Sequence, residues 1–169
     1  MSSILTNVMK IKIGSKFPDF ELKDENNKYF NLSKDNKSRF LVLYFYPKNE
    51  TLGCTKQACF FKDSYEEFKK YDCEIIGISN DNHSSHTSFK NHYKLPFKLL
   101  SDSKAKLRKK LNLPKDFLGL SPARITFLLN SNNEVLFCHR SSVNMKSHIN
   151  EVLKYLETNK KLPIKNNEF

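Results

Sequence analysis

Apolar and polar positions alternate near the start of this chain and then give way to one unbroken apolar run. Residues 17–22 alternate, residues 24–27 form a turn signal, and residues 29–32 repeat a short strand pattern, which together predict an N-terminal β-hairpin. The polar stretch 33–38 predicts a loop. Residues 40–46 are apolar throughout, with β-branched and aromatic types, which is typical of a strand covered on both faces in a central parallel sheet.

Strand and helix patterns alternate through the rest of the chain. Aromatic residues at three- and four-residue steps predict one helix over 55–71. The other predicted elements are a strand at 73–79, a helix at 84–93, a strand at 97–100, a helix at 103–111 that residues 101–103 can cap, a strand at 125–129, its hairpin partner at 134–139, and a closing helix at 145–158. This order predicts an α/β fold with a parallel core and antiparallel edges.

The length of 169 residues fits one compact domain with short tails. We assign residues 14–158 to this domain, 1–13 to a flexible N-terminal arm and 159–169 to a basic, disordered tail. Four cysteines do not make a secreted disulfide scaffold, which points to a reducing compartment and a cytoplasmic location. No secretory signal is expected, and the longest apolar run is too short to span a membrane.

The formal net charge of +11 favours anionic partners. The densest basic run, Lys104–Lys110, matches the loose pattern of a nucleic-acid or import patch, so a nuclear location is the alternative. The simpler interpretation, which we prefer, is a solvated helix face with Leu107 and Leu111 pointing inward.

A cysteine follows the predicted buried strand at the place where a helix begins. Free N–H groups and the helix dipole at a helix N-terminus favour a thiolate, so Cys54 is a candidate nucleophile. Pro47 can fix the exit from the strand, Thr51 offers a hydroxyl near the thiol, and Gly53 lets the backbone approach a small ligand closely. The alternative is a buried and inert cysteine.

A second cysteine, Cys59, lies five positions further along the same predicted helix. The two side chains then diverge by ~140°, and the Cα atoms stand ~8–9 Å apart, beyond the ~7 Å limit for a disulfide. A Cys54–Cys59 bond therefore requires the first helical turns to unwind. The alternative is that Cys59 is a core residue.

The pattern Pro47, Thr51, Cys54 resembles the PxxxTxxC motif of peroxiredoxins, and residues 54–59 are similar to the branch called bacterioferritin comigratory protein or peroxiredoxin Q. Further segments of this chain are similar to that branch and extend the resemblance to about residues 14–157; they are Gly14–Leu22, Gly77–Asp81, Leu95–Asp102 and Arg124–Leu128.

The resemblance implies a thioredoxin-like fold with an N-terminal hairpin extension, and a thiol peroxidase that uses no metal and no organic cofactor. By the same resemblance, Cys54 attacks hydrogen peroxide or an organic hydroperoxide, and Cys59 resolves the sulfenic acid to an intramolecular disulfide. Thr51 would hold the peroxide, and Arg124 would supply positive charge. Thioredoxin or a glutaredoxin-type protein would be the reductant, and a monomer is expected.

Two positions depart from the usual sequence of that branch, since Leu52 stands where proline is usual and Gln57 where glutamate is common. Both departures bear on rate and substrate preference rather than on the reaction. Two alternative functions stay open: a basic nucleic-acid-associated protein with a protective or sensing peroxidase site, and a thiol–disulfide exchange protein, although the chain has no CxxC spacing.

The remaining cysteines and the clustered histidines have simpler interpretations. Cys73 and Cys138 lie in strand patterns and are expected to be small core residues, with an alternative resolving role left open. The histidines at 83, 86 and 92 could share a helix face, but no carboxylate or cysteine spacing completes a metal site.

Overall fold

The structure is a computed structural model that describes residues 9–160. Its strands are β1 (Glu21–Asp24), β2 (Tyr29–Asn31), β3 (Phe40–Phe45), β4 (Cys73–Ser79), β5 (Lys98–Ser101), β6 (Lys115–Asp116), β7 (Ser121–Pro122), β8 (Ile125–Asn130) and β9 (Val135–Arg140). Its helices are α1 (Leu32–Asp35), α2 (Leu52–Asp63), α3 (Tyr65–Lys69), α4 (His83–Tyr93), α5 (Lys106–Lys110) and α6 (Ser147–Thr158).

Seven strands form one mixed sheet in the order β2-β1-β5-β4-β3-β8-β9. The three central strands β5, β4 and β3 are parallel, and the outer pairs are antiparallel, as the sequence predicts. The predicted N-terminal hairpin is confirmed, with Leu22 opposite Phe30, and β1 joins the sheet by pairing with β5. Because β3, β4 and β5 run in the same direction, the segments that follow them meet at one edge of the sheet.

Both faces of the central sheet are covered. Leu43 and Phe45 of β3 point into a core cluster with Phe127, while Val42 and Tyr44 point into a second cluster on the other face. Successive side chains of a strand point to opposite faces, so a strand buried on both sides must be apolar throughout. This explains the unbroken apolar run at 40–46.

The predicted helix 55–71 is two helices in the structure. The first, α2, begins three residues earlier, at Leu52, and α3 begins after Ser64. Ser64 leaves helical geometry, with φ −99° and ψ 5°, and its backbone N–H still donates to the Phe60 carbonyl at 3.2 Å. The aromatic spacing runs through this break because both helices pack on the same face of the sheet, so periodicity alone could not reveal it.

Three other local predictions need correction. The predicted loop 33–38 overlaps α1 (Leu32–Asp35), whose N-cap residue Asn31 accepts from Lys34 N through its side chain at 3.0 Å. The helix predicted at 103–111 begins only at Lys106, and the Asp102 carboxylate accepts from the backbone N–H groups of Leu107 and Arg108 at 3.1 and 3.0 Å. The ribbon of β6 and β7 was not predicted, because its strands of two residues each are too short to show alternation.

The predicted flexible arm and basic tail fall partly outside the described residues, since 1–8 and 161–169 are not described. At the described end of the arm, Ile11 is buried in the core, and Lys10 N donates to the Leu111 carbonyl at 3.0 Å. Gly14 N likewise donates to the Val135 carbonyl at 2.7 Å. Between residues 9 and 160, no helix has the length and apolar character needed to cross a membrane.

One of the five basic residues in the run 104–110 is buried. Leu107 and Leu111 point into the core, as the solvated-helix interpretation requires, and the four lysines of the run are exposed. Arg108 is instead buried; both of its terminal nitrogens donate to the Ala123 carbonyl at 3.2 Å, and its guanidinium lies over the Phe45 ring. Burial lowers the pKa of Arg108 to about 10, so it is still a cation at neutral pH.

Candidate active site

The catalytic candidate Cys54 lies in the first turn of α2, at the sheet edge reached by β3. Thr51 is the N-cap residue, in extended geometry, and its carbonyl accepts from Thr55 N at 2.9 Å. Cys54 is therefore the third residue of the helix, among backbone N–H groups that have no partner within the helix. The side chain is buried, with 1% of the residue exposed.

Arg124 is the cation that meets this thiol. Its Nη1 donates to Cys54 Sγ at 3.0 Å and to Gln57 Oε1 at 3.2 Å, and the residue is buried. Arg124 directly precedes β8, which pairs with β3, so the strand pairing carries the guanidinium to the edge where α2 begins. A hydrogen bond from a guanidinium favours a negative charge on the sulfur.

Gly53 makes room for this guanidinium. A β-carbon at position 53 would lie 2.6 Å from Arg124 Nη2 and 3.2 Å from the methyl group of Met145. The sequence suggested that Gly53 lets the backbone approach a small ligand, whereas here the space beside it is filled by Arg124. Both uses depend on the missing side chain.

The loop between β3 and α2 carries the two other candidates. The Thr51 hydroxyl donates to the Lys48 carbonyl at 3.0 Å, which leaves its oxygen lone pairs available as acceptors. Pro47 is half-buried and opens the loop directly after the buried Tyr46. The structure therefore places Pro47, Thr51 and Cys54 on one short segment.

Cys59 lies on the same helix as Cys54, and both are free thiols. It is half-buried, and burial raises the pKa of its thiol; the nearby Lys62 lowers that pKa and Asp63 raises it. Five helical steps put the two Cα atoms ~8–9 Å apart, so a bond between the sulfurs requires local unwinding.

Two buried polar atoms near the thiols have no hydrogen-bond partner among the described residues. They are the Tyr44 hydroxyl and Gln57 Nε2. The Tyr44 ring stacks on Phe61 with centroids 4.6 Å apart, and a β-carbon at Gly77 would lie 2.7 Å from the Tyr44 hydroxyl. Burial raises the pKa of Tyr44 well above its ordinary value, and negative charge on Cys54 and Cys59 adds to this, so the phenol stays protonated. The unbroken apolar run gave no signal of this polar atom.

A buried histidine network lies next to Arg124. His148 Nδ1 is 2.8 Å from the Thr126 hydroxyl, and His148 Nε2 is 2.8 Å from the Ser141 carbonyl. Since a carbonyl only accepts, Nε2 carries the proton and Nδ1 accepts. Burial lowers the pKa of His148 to about 4, and the neighbouring His139 and Arg124 add to this, so the imidazole is neutral at physiological pH.

The other cysteines and the histidines of α4 lie apart from this site. Cys73 is buried in β4, and burial raises the pKa of its thiol; burial raises that of the half-buried Cys138 to about 11. His86 is buried against the Leu100 carbonyl, whereas His92 is exposed and lies 3.4 Å from Glu50. Within residues 9–160, no three or more His, Cys, Asp or Glu side chains are arranged to hold a metal ion.

The sequence of this chain is similar to those of known protein families and of individual proteins. Residues 13–137 match the AhpC/TSA family. The chloroplastic peroxiredoxin Q of Suaeda salsa is 48% identical over 151 residues, which cover 89% of this chain and 70% of that protein. The chloroplastic peroxiredoxin Q of Sedum lineare is 46% identical over 149 residues, covering 88% and 80%.

Solved structures give the same result. The peroxidoxin BcpB of Mycobacterium tuberculosis superposes with a TM-score of 0.80 at 31% identity, covering 88% of this chain and 97% of that one. A cysteine-to-serine mutant of the Xylella fastidiosa peroxiredoxin Q superposes with a TM-score of 0.82 at 28% identity, covering 91% and 100%. These neighbours have the thioredoxin fold, so the predicted thioredoxin-like fold is confirmed.

Proposed function

Because the chain belongs to the AhpC/TSA family, as a thiol peroxidase of the peroxiredoxin Q branch, we propose that Cys54 is the residue that reacts with peroxide. One observation carries this proposal: Arg124 Nη1 lies 3.0 Å from Cys54 Sγ at the first turn of a helix. A guanidinium and a helix N-terminus both stabilise a thiolate, and the thiolate is the nucleophilic form of cysteine.

In the oxidation step, the thiolate sulfur of Cys54 attacks the terminal oxygen of hydrogen peroxide or an organic hydroperoxide. The O–O bond breaks, an S–O bond forms, and the departing oxygen leaves as hydroxide or alkoxide, which takes up a proton to become water or an alcohol. Arg124 stabilises the charge that moves from sulfur to that oxygen, and its planar fork can contact both atoms. The product on the enzyme is a sulfenic acid.

Thr51 and Pro47 prepare the site for this step. With its proton donated to the Lys48 carbonyl, the Thr51 hydroxyl presents lone pairs that can accept the O–H of a hydroperoxide. Pro47 has no N–H and a fixed φ, so it sets the exit of the loop from β3 and limits water near the sulfur. No cofactor takes part in this chemistry.

Cys59 then resolves the sulfenic acid. Its thiol loses a proton and the resulting thiolate attacks the sulfur of Cys54; an S–S bond forms, the S–O bond breaks, and the departing hydroxide takes up a proton to become water. The first two turns of α2 must unwind for the sulfurs to meet. Half-burial and a raised pKa keep the Cys59 thiol protonated while the helix is folded, so it becomes reactive on exposure.

A dithiol protein of the thioredoxin or glutaredoxin type reduces the Cys54–Cys59 disulfide in this scheme. The disulfide lies within one short segment, so a single reductant can reach it without a second subunit, which supports function as a monomer. Relatives are named as chloroplastic, and the cytoplasmic location of this chain stays a prediction.

The test is stopped-flow oxidation of the reduced protein by hydrogen peroxide, followed by mass mapping of the product. Cys54→Ser should abolish peroxide consumption, and undiminished turnover of this variant would refute the assignment. Cys59→Ala should react once and stop at the sulfenic acid until an external thiol is added. Cys73→Ser serves as the matched control, because it removes a buried strand thiol and should keep both steps.

Two other functions can be separated from this one. A thiol–disulfide exchange protein would reduce insulin disulfides, which a peroxidase without a CxxC motif should not do. A nucleic-acid partner would be bound by the exposed lysines of the 104–110 run, without sequence preference and with an affinity that falls steeply with salt. Absence of DNA or RNA binding at low salt would remove that role.

A further inference from the structure

One peptide group connects the loop of the active site to the end of β4. The carbonyl of Lys48 accepts from the Thr51 hydroxyl at 3.0 Å. The N–H of the same peptide group, which belongs to Asn49, donates to Asp81 Oδ2 at 2.9 Å. A peptide group is planar, so an acceptor that fixes its N–H also fixes the direction of its C=O. The Asp81 carboxylate therefore determines where the acceptor of the Thr51 proton points.

The carboxylate is itself held in place. Asp81 follows β4, and its Oδ2 also accepts from the Ser79 hydroxyl at 2.6 Å, while Ser79 Oγ accepts from Asp81 N at 3.2 Å. Ser79 is buried, with 2% of the residue exposed. The orientation of Asp81 is thus fixed by the last residue of a central strand, which is a rigid support.

The side chain of Asn49 fixes the position of the loop beside α4, while the orientation of the peptide group depends on Asp81. Asn49 is buried; its Oδ1 accepts from the Tyr46 hydroxyl at 2.6 Å and its Nδ2 donates to Ser85 Oγ at 3.0 Å. The same Nδ2 lies 3.0 Å from His86 Nδ1. Ser85 and His86 belong to α4, and Tyr46 directly follows β3, so these elements hold the loop in place.

Backbone strain in the loop supports the same conclusion. Glu50, between Asn49 and Thr51, has a φ of 60° although it is not glycine. Its carboxylate accepts from the Tyr93 hydroxyl at 3.1 Å. Strained residues of this kind persist only where the surroundings determine the conformation, and they concentrate at functional sites.

We propose that Asp81 is a positioning residue for the peroxidase reaction, acting through the Lys48–Asn49 peptide group on the Thr51 hydroxyl. When the Lys48 carbonyl is fixed, the Thr51 hydroxyl continues to donate its proton to that carbonyl. The lone pairs of the hydroxyl oxygen then point away from the carbonyl and can accept from the incoming hydroperoxide. Without Asp81 the peptide group turns, the hydroxyl loses its fixed acceptor, and the peroxide loses its alignment. This inference rests on the proposed roles of Cys54 and Thr51.

The experiment is a double-mutant cycle on the rate constant for oxidation of the reduced full-length protein by hydrogen peroxide. The variants are Asp81→Ala, Thr51→Val and the double variant, together with Asp81→Asn, which keeps a carbonyl oxygen for the Asn49 N–H. We expect Asp81→Ala and Thr51→Val each to slow oxidation on the order of tenfold to a hundredfold. The double variant should be no slower than Thr51→Val alone, and Asp81→Asn should recover most of the rate.

A control and a second readout separate positioning from loss of structure. Asp19→Ala removes another carboxylate that accepts from a backbone N–H and a hydroxyl, both of Ser33, and it should leave the rate unchanged. The rate of alkylation of Cys54 by iodoacetamide should be the same in Asp81→Ala as in the unchanged protein, because alkylation needs no aligned peroxide and the contact with Arg124 is intact.

The outcomes distinguish this inference from the proposed function. If Thr51→Val slows oxidation while Asp81→Ala does not, or if the two losses multiply in the double variant, the positioning role of Asp81 is wrong. If Asp81→Asn is as slow as Asp81→Ala, the acceptor role is wrong. If Cys54→Ser still consumes peroxide at the full rate, the proposed function itself has failed.

Discussion

The guanidinium of Arg124 stands where a side chain at Gly53 would be, since a β-carbon there would come within 2.6 Å of Nη2. The contact of Arg124 with Cys54 therefore depends on Gly53, which has no side chain and acts only by leaving space for the guanidinium. A residue with a side chain at position 53 must move the guanidinium away from the thiol.

Gly53→Ala should accordingly lower the rate of peroxide oxidation on the order of tenfold to a hundredfold while leaving the helix folded. Alanine favours a helix over glycine, so the free energy of unfolding should not fall by more than the cost of displacing Arg124. Stopped-flow oxidation and urea unfolding of the reduced protein measure the two effects. An exposed residue of the distant strand β2 offers a control, Tyr29→Ala, which should react at the unchanged rate.

Arg124→Lys tests the geometry of the cation separately from its charge. A lysine keeps the positive charge but has a single ammonium group, which cannot reproduce the planar fork that serves the sulfur, Gln57 and the departing oxygen. We expect a loss of about 10²-fold in the oxidation rate constant. Arg140→Lys, at an exposed arginine paired with Asp116, is the matched control. A rate close to the original in Arg124→Lys would mean that charge alone is sufficient.

Tyr44 in β3 and Tyr46 directly after it are both buried, but removing their hydroxyl groups should have different effects on the free energy of unfolding. Their ring centroids are 5.3 Å apart, but the Tyr46 hydroxyl donates to Asn49 and the Tyr44 hydroxyl has no partner among the described residues. Tyr46→Phe should destabilise the reduced protein by about 1–3 kcal/mol, because Asn49 loses a donor in a buried place. Tyr44→Phe should be neutral or stabilising by about 1 kcal/mol.

Chemical unfolding of the two variants under reducing conditions checks this pair. If Tyr44→Phe lost as much free energy of unfolding as Tyr46→Phe, the Tyr44 hydroxyl would have a partner that offsets its burial, and the unpaired description would be wrong.

His148 predicts a pH dependence of stability. Its pKa is lowered from 6.5 to about 4 in the folded protein, so the unfolded chain binds more protons between these values. The stabilisation is complete above about pH 6.5 and is lost as the pH falls towards 4, with a total on the order of 3 kcal/mol.

His148→Gln isolates this contribution. An amide can still donate to the Ser141 carbonyl and accept from Thr126, but it does not titrate. The free energy of unfolding of this variant should fall less between pH 6.5 and 4 than that of the unchanged protein. Equal pH dependence in both proteins would show that the neighbourhood of His148 does not disfavour the imidazolium.

The sheet could be predicted from the sequence because a strand buried on two faces is apolar throughout, as residues 40–46 are. The N-terminal hairpin left a trace too, in its alternation and turn residues. Arg124 and Cys54 are 70 positions apart, so no spacing rule joins them, and only the family resemblance anticipated their contact. The buried, unpaired hydroxyl of Tyr44 could not be predicted, because the apolar pattern of a buried strand does not distinguish tyrosine from an apolar residue.

The loop after β3 shows where sequence reasoning ends. Thr51 and Pro47 stand in a recognisable motif, but the hydrogen bond between Asn49 N and Asp81 joins two loops whose conformations depend on tertiary contacts. The break at Ser64 was hidden for a different reason, since neither glycine nor proline marks it. Local patterns report which face is buried and do not report how the backbone turns between elements.

The interruption at Ser64 sets a boundary on structural change during a catalytic cycle. The N–H of Phe68 donates to the Ser64 carbonyl at 3.1 Å, so α3 has its own starting bond and does not depend on the turns that carry the thiols. Unwinding that begins at Leu52 can extend through α2 and end before α3. The oxidised enzyme should therefore differ from the reduced one by no more than the 12 residues of α2, a change confined enough for a small reductant to recognise and reverse.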